Sequence, residues 1–245
     1  MSDHVKIRRD GSVTEILFDR PEKKNALTLA MYERAAGALR DASEDEEVRC
    51  VVIGSESEHF TAGNDLMDFM QNPPTGESSP VFQFLLALRA CSCPVLAAVD
   101  GYAIGIGTTM LFHCDLAWAG EGAKFRMPFV DLGLVPEAGS SAILPAMVGH
   151  RKAAELLYFS DFFGAEKADE VGIVNGVVAD GVLGVVREKA RELSEKPPQA
   201  LRLTKKLLRR VDDEVVEAAM REEAEIFVSR LQSQEFMAAV AAFQG

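Results

Sequence analysis

Phe125-Arg126-Met127-Pro128-Phe129-Val130-Asp131-Leu132-Gly133-Leu134-Val135-Pro136-Glu137-Ala138-Gly139-Ser140-Ser141 decides how the rest of the chain is read. It carries one glutamate, Glu137, between a proline and a small-residue run that reads as the start of a helix. Phe129, Leu134 and Val135 offer apolar surroundings, in which a carboxyl holds its proton more tightly and becomes a stronger base. The bland reading of Glu137 is an acid at a helix start, favourable there for dipole reasons alone. Asp131, nearby, matches no catalytic position.

Working back toward the N-terminus, two glycine-containing segments precede this stretch. One is Asp100-Gly101-Tyr102-Ala103-Ile104-Gly105-Ile106-Gly107, directly after an apolar run, Pro94 to Val99. The other is Phe60-Thr61-Ala62-Gly63-Asn64-Asp65-Leu66, shortly after Cys50 to Gly54. Each is expected to follow a strand and open a helix, where free N–H groups favour an oxyanion and small residues admit a ligand. The glycine spacing does not fit the dinucleotide pattern G-x-G-x-x-G. Glycine turns needed only for packing are the plain alternative. Asp65 reads most simply as a turn-stabilising Asx residue.

Further out, Val5 to Arg8 and Val13 to Phe18 flank Asp10-Gly11, a hairpin signal. Leu27, Met31, Ala35 and Leu39 fall at helical spacing, so a helix is expected over 27–40. A second helix is expected from Pro80 to Cys91, and another strand from Leu116 to Ala119. This alternation predicts an α/β fold with mostly parallel strands and crossover helices. Leu183 to Phe243 reads as three or four helices, broken at Pro197-Pro198. Gln71 to Ser79 is the most loop-like stretch and a candidate lid edge.

Composition narrows the function classes. The 245 residues are 48% hydrophobic and 26% charged, with a formal net charge of −12. Such an acidic chain argues against nucleic-acid binding, which needs a basic surface. No apolar run is long enough for a membrane span. Cys50, Cys91, Cys93 and Cys114 read as reduced, mostly buried thiols, and His4, His59, His113 and His150 lack ligand spacing, so no metal site is expected. The reading at this point is a cytoplasmic protein.

Taken in order and spacing, the three segments resemble the crotonase superfamily, the enoyl-CoA hydratases and isomerases. Arg20-Pro21-Glu22-Lys23-Lys24-Asn25-Ala26-Leu27 resembles that family's first coenzyme A-binding loop, and the resemblance covers nearly the whole chain. It implies a crotonase-like ββα spiral over residues 1–182, carrying the acyl-CoA site. A C-terminal helical region over 183–245 would serve oligomerisation and site closure, in a homotrimer or hexamer. Matched by position, the oxyanion-hole N–H groups fall on Asn64 and Ile106. The substrate-binding positions fall on Lys23, Lys24, Ala26, Ala62, Gly63, Asp65, Leu66 and Phe129. Coenzyme A would be part of the substrate, with no other cofactor.

The reaction implied depends on acids. The two glutamates of the family's hydratases fall here on Thr109 and Phe129, neither of them acidic. Glu137, within Pro136 to Ser141, matches the single base of the 3,2-trans-enoyl-CoA isomerases, most closely the peroxisomal type, which FRMPF (125–129) and Glu235 to Phe243 also resemble. Other acyl-CoA chemistry on the same scaffold and non-catalytic acyl-CoA binding stay open as alternatives. The basic residues Arg126, Lys205, Lys206, Arg209 and Arg210 are candidates for the ligand's phosphates or for a plain i, i+4 helix face.

Overall fold

The computed structural model describes residues 4–209 and 213–244, with nothing said of the side chains of residues 243 and 244. Arg210 lies outside the described residues. The elements in chain order are β1 (Val5–Asp10), β2 (Val13–Phe18), α1 (Leu29–Glu44), β3 (Cys50–Ser55), α2 (Leu66–Gln71), α3 (Pro80–Ala90), β4 (Val95–Val99), β5 (Tyr102–Ile104) and α4 (Ile106–Thr109). They continue with β6 (Leu116–Gly120), β7 (Lys124–Arg126), α5 (Ser140–Val148), α6 (His150–Tyr158), β8 (Phe163–Gly164), α7 (Ala165–Glu170) and β9 (Val177–Val178). Four helices close the chain: α8 (Val182–Ser194), α9 (Pro198–Arg209), α10 (Asp213–Arg230) and α11 (Gln234–Gln244).

A six-stranded sheet runs β1-β2-β3-β4-β6-β9. The β1–β2 hairpin is antiparallel, and every later pairing in this sheet is parallel. Period-two alternation explains why it is buried on both faces. In β3, Val51 and Ile53 enter the main core, while Cys50 and Val52 pack with Val182, Val186 and Ala190 of α8. Leu96 and Ala98 of β4 join them on the α8 face. A bidentate pair from Arg187 to the buried Glu15 (2.5 and 2.8 Å) ties α8 to β2.

A smaller sheet, β5-β7-β8, forms the second wall. The chain steps from β4 into β5 through Asp100-Gly101, and from β6 into β7 through a short turn. Thr61 extends this wall by a bridge to Ala103, and Asn64 bridges Leu27. Successive turns thus add one strand to each wall, which is the ββα spiral. These two- and three-residue strands were not expected from the sequence. The first helix starts later than expected, at Leu29, because Thr28 caps it, and it runs on to Glu44.

Candidate active site

Both glycine segments open helices. Asp65 caps α2, accepting from the N–H groups of Met67 (3.0 Å) and Asp68 (3.2 Å). It also pairs with Arg20 at 2.7 Å, which holds its carboxyl below the usual range against the opposing effect of burial. Gly105 precedes α4 at φ 56, ψ −117, a backbone state open to glycine alone. Gly63 sits at φ 93, and a Cβ there would lie 2.8 Å from the Ile104 carbonyl oxygen. The two segments can approach this closely only with glycine at that point.

Asn64 and Ile106 follow these glycines, and among the backbone bonds of the described residues neither N–H has an acceptor. Both residues line one cleft of about 1100 Å³, part of it open to solvent. Lys24, Ala62, Gly63, Leu66 and Phe129 line it as well. Lys23, Ala26 and Asp65 do not. Lys23 is exposed on a 3-10 turn, while the Ala26 carbonyl and Asp65 are joined through Arg20. Buried Asn25 knits this first loop to the next, donating to the His59 carbonyl at 2.6 Å, and the Thr61 hydroxyl donates back to the Asn25 carbonyl at 2.7 Å.

Glu137 lines an adjoining pocket of about 470 Å³, part of it open to solvent, whose walls include Phe69, Phe82, Leu85, Met220 and Phe227. Phe69 and Phe227 are shared with the first cleft. Pro74, Gly76 and Ser79, from the expected lid edge, form part of its rim. Glu137 is only 7% exposed. Burial pushes its carboxyl up to about 8; the Thr109 hydroxyl, donating at 3.0 Å, opposes that rise, and the Glu223 charge adds to it. So Thr109, at one of the family's acid positions, serves the one acid that remains.

Glu137 does not sit in the first turn of a helix. It precedes α5 by three residues, followed by two left-handed residues, Ala138 (φ 62) and Gly139 (φ 69). For alanine that conformation costs about 1–2 kcal/mol. Hydrogen bonds hold it: the Ser140 hydroxyl donates to the Glu137 carbonyl at 2.5 Å. The His113 Nε2–H donates to the Ala138 carbonyl at 2.6 Å. Since a carbonyl only accepts, Nε2 carries the proton, and burial pushes this imidazole down to about 3, keeping it neutral.

The basic candidates separate. Lys205 is buried against Asp115 (2.6 Å) and the Cys93 carbonyl (2.7 Å), and Arg209 bonds Asp115 and the His113 carbonyl. These two anchor α9 to the body of the protein and are not available to a ligand's phosphates. Arg126 pairs with Asp131 at 2.6 Å and lies over the Phe162 ring, while Lys24 lies over the Tyr102 ring, both at the cleft. Cys91 and Cys93 are free thiols with their sulfurs 3.5 Å apart. Among the described residues no group of three or more His, Cys, Asp or Glu is placed to hold a metal ion.

Residues 8–244 match the family model described as enoyl-CoA hydratase/isomerase. The chain belongs to this family. Its fold is the crotonase fold: a structure of Pseudomonas aeruginosa OdaA superposes with a TM-score of 0.96, at 45% identity over 99% of both chains. Enoyl-CoA delta isomerase 2 of Rattus norvegicus is 32% identical over 99% of this chain and 63% of its own length. The chain thus spans less than two thirds of that relative. The 2,3-dehydroadipyl-CoA hydratase of Escherichia coli (strain K12) is 29% identical over 90% of this chain and 88% of its own. Isomerases and hydratases therefore both stand among its relatives.

Proposed function

We propose that this enzyme is a 3,2-trans-enoyl-CoA isomerase of fatty acid metabolism. The observation that carries the reading is Glu137, a buried carboxyl lining the cavity beside the cleft, with Thr109 and Phe129 at the two positions where the resemblance puts the hydratases' acids. In this reading the thioester oxygen lies between the N–H groups of Asn64 and Ile106. The Glu137 carboxylate takes a proton from carbon 2, and the electron pair of that C–H bond makes a dienolate whose charge rests on the thioester oxygen. Two preorganised donors lower the barrier by about 3–4 kcal/mol each. The same carboxyl then returns the proton to carbon 4, leaving the double bond between carbons 2 and 3.

One carboxyl suffices because donor and acceptor carbons lie on the same dienolate. Hydration, by contrast, needs a held water molecule, and the buried Phe129 ring offers it no hydrogen bond. Coenzyme A is part of the substrate, and this proton transfer uses no metal or redox cofactor. Lys24 and Arg126 at the cleft are the cations suited to the phosphates of an acidic ligand. Exposed Leu203, Leu207 and Leu208 on α9 support assembly as a homotrimer or hexamer. No described helix is long and apolar enough to cross a membrane, which fits the cytoplasmic reading.

The test is a panel of 2-enoyl and 3-enoyl thioesters scored for hydration and for double-bond migration. Migration from carbon 3 to carbon 2 is expected. Robust hydration without migration sinks the isomerase reading and favours the hydratase alternative. Tight coenzyme A thioester binding with no turnover on any member favours a non-catalytic acyl-CoA-binding protein.

A further inference from the structure

A second buried carboxyl sits beside the Glu137 turn. Glu223, midway along α10, is 6% exposed. Its Oε2 accepts the Gly139 N–H at 2.6 Å, and its Oε1 accepts the Ser141 N–H at 2.8 Å. These amides open α5, where a helix leaves its N–H groups unpaired and favours negative charge. The dipole role that the sequence left open for Glu137 therefore falls to a residue some eighty positions downstream. Glu223 brings the C-terminal helices into the network that holds the left-handed Ala138-Gly139 step.

We propose that Glu223 is a positioning residue for Glu137, its carboxylate clamping the turn that aims the base through the amides of Gly139 and Ser141. The proposal rests on the reading of Glu137 as the base. A clamp of this kind matters because proton transfer tolerates little misplacement of the base. Its charge acts as well, adding to burial in pushing the Glu137 carboxyl up. Other groups face Glu137 from each neighbouring element. The Tyr32 phenol comes from α1, the Thr109 hydroxyl from α4, and neutral His113 from the 3-10 turn after α4. From α2 and α3 come only the apolar side chains Phe69, Phe82 and Leu85. Burial raises the Glu223 carboxyl against the Ser141 and Gly139 donors, which lower it, and the exposed neighbour Glu222 adds a smaller upward push.

The experiment labels the glutamate carboxyl carbons with 13C and follows Glu137, identified by the signal lost in Glu137→Gln, through a pH titration. The full-length parent, Glu223→Gln and Glu223→Asp are compared, with turnover of a 3-enoyl thioester measured near pH 9. Glu223→Gln removes the charge and turns an NH2 group toward one of the amides. Its Glu137 midpoint is expected to fall by roughly half a unit or more. Its kcat is expected to fall roughly tenfold, with KM within about twofold. Glu223→Asp keeps the charge but draws it back by one methylene, so the midpoint stays near the parent's while kcat drops about fivefold. In a folded Glu223→Gln a parental kcat, or a kcat lost only together with a KM raised as far, overturns the proposal, whatever happens to the melting temperature. If Glu223→Gln does not fold, a parental kcat in Glu223→Asp overturns it. A parent that fails to isomerise the thioester refutes the isomerase reading instead, and the positioning role falls with it.

Discussion

The two halves of the site are built in opposite ways. On the proposed oxyanion side the working groups would be backbone N–H donors, placed by Gly63 and Gly105, and the side chains of Asn64 and Ile106 would play no part in the bonds. On the Glu137 side the proposed working group is one side chain, and the hydrogen bonds around it and its turn come from α4, the 3-10 turn after it and α10. The first half is made where the chain turns. The second is made only when distant elements pack. In the proposed reaction charge would develop on the thioester oxygen at the first and a proton would move at the second, so the first would have to offer donors and the second to be dry.

Removing the carboxylate attacks the second half most directly. Glu137→Gln keeps the shape and a hydrogen-bond acceptor for Thr109 but cannot take a proton. Isomerase kcat is expected to fall by roughly 10³-fold or more, since general bases contribute about 10²–10⁴-fold. Turnover within a few-fold of the parent would remove Glu137 from the mechanism.

An equivalent blow to the first half changes no functional side chain. Gly63→Ala puts a Cβ 2.8 Å from the Ile104 carbonyl oxygen at φ 93, so the segment must shift and carry the Asn64 N–H with it. A loss of about 10²-fold in kcat is expected, the scale of one oxyanion donor. Binding of coenzyme A alone should change far less, because the free thiol ligand has no thioester oxygen. An alanine enzyme with parental kcat would move the oxyanion hole away from Asn64.

Why the turns of the first half and Glu137 itself were legible in the sequence, while the partners of Glu137 were not, follows from the same contrast. Glycine turns and the Asx residue Asp65 are local rules, and they gave two strand-to-helix turns; the spiral and the choice of Asn64 and Ile106 came from the resemblance to the crotonase superfamily, and the two residues do line one cleft. Glu223 lies in Arg221-Glu222-Glu223-Ala224-Glu225, which reads as a solvated face, and only the packing of α10 on α5 turns that one glutamate inward. Thr109 read only as a missing acid, because its bond to Glu137 spans 28 residues. Lys205 and Arg209 read as candidates for a ligand's phosphates or as a plain helix face for the same reason: Asp115, their partner, is far off in sequence. The strands β5, β7 and β8 are too short to show any period.

Dryness at Glu137 also has a stability signature. Folding raises its carboxyl from 4.5 to about 8, so the folded state binds the proton more tightly than the unfolded chain. The stability this contributes is fully present below pH 4.5 and is lost as pH rises through about 8. Glu137→Gln has no proton to lose. It should match the parent near pH 4 and exceed it near pH 9, by on the order of 2–4 kcal/mol in denaturant unfolding. No difference between the two pH values would mean that the cavity is wet, and the contrast between the halves would weaken.

The smallest effect belongs to the side chain of Asn64, and Tyr32 tests it without touching the backbone donor. The buried Tyr32 hydroxyl donates to Asn64 Oδ1, and burial raises the phenol well above its ordinary value, keeping it neutral. Tyr32→Phe removes one hydroxyl and leaves Asn64 Oδ1 facing the cleft, where water replaces the lost donor. About 1 kcal/mol of stability should be lost, the net worth of one such bond. The change in kcat should stay below roughly threefold, because the backbone at Asn64 is positioned by the bonds on either side of it, Leu27 N–H to the Gly63 carbonyl and Asp65 N–H to the Leu27 carbonyl, and not by the amide side chain. A loss near that of Gly63→Ala would mean that side-chain packing aims the oxyanion donor after all. The two halves would then share one design, with Tyr32, which also faces Glu137, as the link between them.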